Sequence, residues 1–172
     1  LRFALALVLF LTAPLTIRAQ ESYHAPEGAS GVAAKPLVTA SKHMIVAAHP
    51  IAAEAGRDIL RQGGSAIDAA ITTQLVLGLV EPQSSGLGGG AFIVHWDETA
   101  KAVTTIDARE TAPAAARPDR FYKDGALMPF DEAVRSGLST GVPGVVRGME
   151  LAHQRFGKLP WVDLFRPAIK LA

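Results

Sequence analysis

Residues 66–80 constrain this chain more than any other stretch, because they are apolar on nearly every side of a helical projection. A helix with no wet face has to be covered by other elements. It is shorter than the ~20 residues a bilayer-spanning helix needs, so the cover must come from protein. The flanks define it sharply. Ser65 and Asp68 form an S-x-x-D start signal, in which each residue can satisfy the other's backbone N–H. Glu81-Pro82 stops it, because proline cannot continue a helix.

The elements that could supply cover follow from pattern. Met44 to Ala48 is a short apolar run and reads as a first strand. Pro50 suits a first helical turn, and over 51–62 Ile51, Ala52, Ala55, Ile59 and Leu60 share one half of the projection. Gly63-Gly64 ends that helix. Ala91 to Trp96 and Val103 to Asp107 read as a hairpin across the polar turn 97–101. Thr111 to Asp119 is Pro-rich and reads as a loop, and Pro143 to Phe156 reads as a helix closed by Gly157. Helices and strands alternate loosely, which predicts an α/β or α+β class.

Hydrophobic residues make up 49% of the 172 residues and charged ones 19%, as in a folded globular protein. The net charge is +1 with no basic block, which argues against nucleic acid as a partner. There is no cysteine, so thiol catalysis, disulfides and cysteine-ligated metal are excluded within these residues. Arg2, the apolar run Phe3 to Leu11, Pro14 and the small residue Ala19 have the layout of a secretory signal peptide. The run is too short to span a bilayer as an anchor. The expected organisation is a signal peptide over 1–19, a polar lead-in over 20–42 and a folded part over 43–172. Cleavage would leave Gln20 at the mature N-terminus. It would also remove Arg2 and Arg18, taking the net charge from +1 to −1. A secreted product is expected, with no membrane attachment after cleavage, and a bacterial periplasm is compatible with it. The chain opens on Leu1 rather than Met and reaches Ala172 inside an apolar pattern, so it reads as a piece of a longer protein.

Few residues carry obvious chemistry. Gly86-x-Gly88-x-Gly90 lacks the spacing of a phosphate loop, and a strand follows it where phosphate binding needs a helix N-terminus. Close backbone packing is the simpler reading. The histidines, His24, His43, His49, His95 and His153, have no metal-ligand spacing, and His95 reads as a packed strand residue. No serine sits in G-x-S-x-G. Arg109 closes an apolar strand, with Asp107 on the same face by alternation. Two readings stay open for it. It could form a structural salt bridge to Asp107, Glu110 or another carboxylate, or it could hold a ligand's carboxylate through its planar fork.

Taken in order, several segments resemble the gamma-glutamyltransferase family. They are Ala48-His49-Pro50, Gly63-Gly64-Ser65-Ala66-Ile67-Asp68-Ala69-Ala70, Glu81-Pro82, Ser85-Gly86-Leu87-Gly88-Gly89-Gly90-Ala91-Phe92, Asp107-Ala108-Arg109-Glu110-Thr111-Ala112-Pro113, Val142-Pro143-Gly144, Trp161-Val162-Asp163-Leu164 and Pro167 to Ala172. The likeness runs from about residue 37 to the end. Ser65 stands where the family often has Asn, and Ala91 where a further glycine is common. The resemblance implies an N-terminal-nucleophile hydrolase fold, an αββα sandwich, incomplete within these residues. It implies a precursor that cuts itself into two subunits and a threonine nucleophile at the start of the small one. The threonine takes a gamma-glutamyl group from glutathione or a related donor and passes it to an amino acid, a peptide or water. By the same resemblance Arg109 holds the donor's α-carboxylate, the catalytic threonine and oxyanion groups lie outside this chain, and no metal or organic cofactor is needed. The partners implied are the small subunit, the donor and the acceptor. Residues 20–172 alone are therefore expected to be inactive. Two rivals remain: a cephalosporin- or glutaryl-acylase relative of the same fold, and a secreted binding module without catalysis.

Overall fold

The computed structural model describes residues 36–172. The expected signal peptide and most of the lead-in lie outside the described residues. Helix α1 (Pro50–Arg61) begins where the His49 side chain accepts from the Ile51 N–H at 3.3 Å. It ends at Gly63, whose φ of +90° is one that side-chain-bearing residues avoid. Helix α2 (Ala66–Val80) opens with the expected reciprocal cap: Ser65 Oγ accepts from Asp68 N at 3.1 Å, and Asp68 Oδ2 accepts from Ser65 N at 2.8 Å.

The antiparallel strands β1 (Ala91–Asp97) and β2 (Ala102–Ala108) pair in full register, from Ala91 opposite Ala108 to Asp97 opposite Ala102. Asp97 Oδ1 fixes the turn by accepting from Thr99 N at 2.8 Å and Ala100 N at 3.0 Å. A smaller hairpin, β3 (Tyr122–Lys123) and β4 (Ala126–Leu127), turns on Asp124 and Gly125, both at positive φ. Asp-Gly is a strong signal for such a turn, and it is where sequence reading missed an element. Short α3 (Phe130–Arg135) follows. Helix α4 (Val145–Phe156), a 3-10 turn at Trp161–Phe165 and α5 (Arg166–Leu171) complete the order.

Helix α2 is the hub. It packs along α1, reaches α4 and carries the 161–171 segment. Its contact with α1 depends on Gly56, where any Cβ would collide with the Thr73 hydroxyl. Thr72 Oγ1 donates to Leu164 O at 3.0 Å. Ile67, Ala69, Ile71 and Leu75 from α2 join Ile59, Ile106, Met149, Ala152 and Leu164 in one core. Eight of its residues are buried, as its sequence demands, while Ala66, Ala70 and Leu79 remain exposed.

Helix α4 covers one face of the β1–β2 hairpin. Gly148 lies so close to Ala108 that a Cβ there would overlap it. His95 stacks on Phe156 with ring centroids 4.1 Å apart, so the histidine is a packing residue as expected. The other face is bare: Phe92, Val94 and Trp96 are 66%, 73% and 51% exposed.

One expectation fails. Met44 to Ala48 forms no strand, although Ile45 and Ala47 are half-buried and Met44 and Val46 are exposed, the alternation of a strand. A strand needs a neighbouring ladder to receive its N–H and C=O groups, and none pairs with this segment among the described residues. Helix α4 also starts at Val145, not Pro143, because the glycine segment reaches its first N–H groups.

Candidate functional site

Three sequence-distant segments converge at the end of β2. The first is the glycine stretch. Gly89 O accepts from both Gly144 N and Val145 N at 3.1 Å, satisfying donors that a helix start otherwise leaves unpaired. A Cβ on Gly90 would lie 2.8 Å from Ala108 O and would meet the Glu110 carboxylate. At Gly90 the absent side chain allows close backbone approach, as the sequence reading held for this stretch, whereas a Cβ on Gly88 would meet nothing within 4 Å.

The second segment is Ala108-Arg109-Glu110-Thr111. Ala108 is buried. Glu110 is half-buried against Gly89, Gly90 and Gly141. The third is Gly141 to Gly144. Thr111 and Val142 exchange backbone hydrogen bonds at 2.8 and 3.3 Å, which fixes this segment beside the strand end. At Gly144 a Cβ would overlap Ala108 O, so only glycine lets α4 start so near β2. Sequence reading singled out Arg109 and named Glu110 among its candidate ion-pair partners, which is the pair that forms, but it missed Gly141 and Gly144 as the parts that pack against this segment. The spacing Gly141-x-x-Gly144-x-x-x-Gly148 was the available signal.

Arg109 stands just past β2 with its side chain 69% exposed. Its N–H donates to Asp107 Oδ1 at 2.9 Å, so Asp107 braces the Arg109 backbone. The guanidinium pairs instead with Glu110, Nε to Oε2 at 3.3 Å. A largely solvated pair of this kind contributes about 0–1 kcal/mol, and the guanidinium makes no side-chain hydrogen bond among the described residues. It lines an open cavity of about 360 Å³ with Glu110, Arg120, Phe121, Ser139 and Thr140. The arrangement can receive an anion. It contains no nucleophile poised beside a base, and no group of three or more metal-ligating side chains converges among the described residues.

Known structures share this architecture. A gamma-glutamyltranspeptidase of Helicobacter pylori matches 80% of this chain and 39% of its own, with a TM-score of 0.75 and 34% identity. A cephalosporin acylase from Bacillus halodurans matches 86% of this chain and 27% of its own, with a TM-score of 0.71 and 30% identity. Helices packed on one face of a sheet, with glycine-rich segments gathered at a strand end, are here part of an N-terminal-nucleophile hydrolase fold. The gamma-glutamyltranspeptidase family profile matches residues 52–172. A glutathione hydrolase proenzyme of Bacillus subtilis (strain 168) is 46% identical over 130 residues, 75% of this chain and 22% of the relative. The chain belongs to the gamma-glutamyltranspeptidase family. It spans about a fifth of the length of the curated relatives it matches.

Proposed function

We propose that this chain is the N-terminal part of the large subunit of an enzyme that transfers gamma-glutamyl groups. Glutathione or a related donor supplies the group, and an amino acid, a peptide or water receives it. The family membership and the name of the Bacillus subtilis relative, a glutathione hydrolase proenzyme, support this reading. So does the fraction of that relative's length the chain spans. In this reading a threonine at the start of the small subunit attacks the γ-carbonyl, with its own α-amine as base. The leaving amine departs, and an incoming amine or water then releases the acyl group. The bare hairpin face with Phe92, Val94 and Trp96 is the surface that the rest of the protein covers. The signal-peptide layout of residues 1–19 supports export from the cytoplasm in this reading, and a bacterial periplasm is compatible with a sequence without cysteine.

The observation that carries the proposal is Arg109, a guanidinium just past the end of β2 that lines an open cavity and, among the described residues, is held by one weak ion pair. Its role is to clamp the donor's α-carboxylate through two parallel hydrogen bonds. Arg109→Gln in the full-length protein removes that pair, at a cost of roughly 2–4 kcal/mol in transition-state binding. The expected fall in kcat/KM is about thirtyfold to several hundredfold. Lysine restores part of it, because a point charge cannot reproduce the fork. Self-cleavage continues, and the loss shrinks for a donor analogue without the α-carboxylate. Equal losses for both donors, or failed processing, would make Arg109 a structural residue and overturn the clamp. The cephalosporin acylase likeness leaves the same fold open to other acyl donors. An α-carboxylate clamp favours the gamma-glutamyl reading.

A further inference from the structure

The cavity beside Arg109 has a second cation on its wall. Arg120 lines it together with Arg109, Glu110 and Phe121. No carboxylate lies within ion-pair distance of Arg120 among the described residues, whereas neighbouring Arg117 is paired with Asp119 at 3.1 Å. The Arg120 guanidinium instead lies over the Phe121 ring, 5.2 Å from its centroid. A cation–π contact of that kind is electrostatic and needs no hydrogen bond from the guanidinium, so it does not compete for N–H groups that could donate to a carboxylate. It also restrains the position of the group before any ligand arrives, which lowers the ordering cost of binding. The charged side chains on the wall are two guanidiniums and one carboxylate, and Glu110 is already engaged by Arg109. The wall is therefore net positive. About 360 Å³ lies within the ordinary range of small-molecule pockets, which starts near 300 Å³.

We infer that Arg120 is a specificity-determining residue that receives a second carboxylate, the C-terminal one of a gamma-glutamyl peptide donor, while Arg109 receives the first. This rests on the proposed role of Arg109 as the α-carboxylate clamp. The substrate class it selects is gamma-glutamyl peptides with a free C-terminus, over gamma-glutamyl amides that end without charge.

The test compares glutathione with its C-terminal amide in the full-length processed protein. Glutamate release is followed for the parent, Arg120→Gln, Arg120→Lys and Arg109→Gln. The parent should prefer the free acid. Arg120→Gln should lower kcat/KM for the free acid about tenfold more than for the amide, mostly through KM. Arg120→Lys should recover part of the preference. Arg109→Gln should lower both donors alike and leave their ratio standing. A ratio unmoved by Arg120→Gln, whether both donors fall together or neither falls, overturns the role of Arg120. An Arg109→Gln protein that keeps full activity on both donors overturns the clamp instead, so the two failures are told apart.

Discussion

Removing the Asp68 carboxylate should unfasten the helical layer from the chain that follows α4. Asp68 is completely buried. Its Oδ2 accepts from Ser65 N at 2.8 Å, Lys158 N at 2.9 Å and Leu159 N at 3.1 Å. One oxygen thus caps α2 and ties it to residues about ninety positions away. Oδ1 makes no hydrogen bond among the described residues. The His153 Nε2 lies 3.7 Å from it and is 2.8 Å from Leu159 O. Asp68→Ala leaves three backbone donors facing a void. A hydrogen bond to a charged group is worth about 1.5–3 kcal/mol, and water entering the void recovers part of the loss. The expected destabilisation is about 3–5 kcal/mol. Asp68→Asn keeps an acceptor at the Oδ2 position. It loses the negative charge at the helix start and turns its NH₂ toward His153, which should cost about 1–2 kcal/mol. Urea midpoints of the full-length protein give the order parent, Asn, Ala. Hydrogen exchange at the Lys158 and Leu159 amides gives the local effect and should accelerate most in the alanine variant. An alanine variant within 1 kcal/mol of the parent would falsify the argument. Equal losses for Asn and Ala would shift the cause from the shared acceptor to the charge.

Gly144→Ala should lower stability by about 1–3 kcal/mol or more, since the new methyl overlaps Ala108 O and lies 3.0 Å from Arg109 O. Gly88→Ala, with nothing within 4 Å of the added Cβ, should leave the melting temperature nearly unchanged, and similar losses for the two would refute the close-approach argument. The Asp97 carboxyl is held below its ordinary range, chiefly by the Ala100 N–H. Partial burial opposes this, and the Thr99 N–H and His95 add to it. Because the folded value is the lower one, the carboxylate's support of the turn is complete above the ordinary carboxylate range and lost as pH falls through the folded value. Exchange of the Thr99 and Ala100 amides should rise across that acid window, and Asp97→Asn should abolish the step.

Much of the helical layer could be read from order and chemistry along the chain. The run 66–80 states its own burial, and Ser65 with Asp68 marks its start within one residue. The strand-like runs 91–96 and 103–107 marked the hairpin, each within a residue of the observed bounds, and Arg109 was visible as a charge closing an apolar strand. The Asp124-Gly125 hairpin was equally local and could have been found.

What sequence could not supply is contact between distant segments, because spacing along the chain carries no distance through space. The capping pattern identified Asp68 as a helix start, but only folding brings Lys158 and Leu159 N–H groups to the same oxygen. Close backbone packing was legible for the stretch that holds Gly90, but nothing along the chain linked it to the glycines at 141, 144 and 148. Tertiary structure gathers them around Ala108 and Glu110, where the missing side chains let backbones touch. Met44 to Ala48 is the converse case. Its apolar alternation sets which residues point inward, but a strand exists only when another chain segment lies beside it to accept its hydrogen bonds.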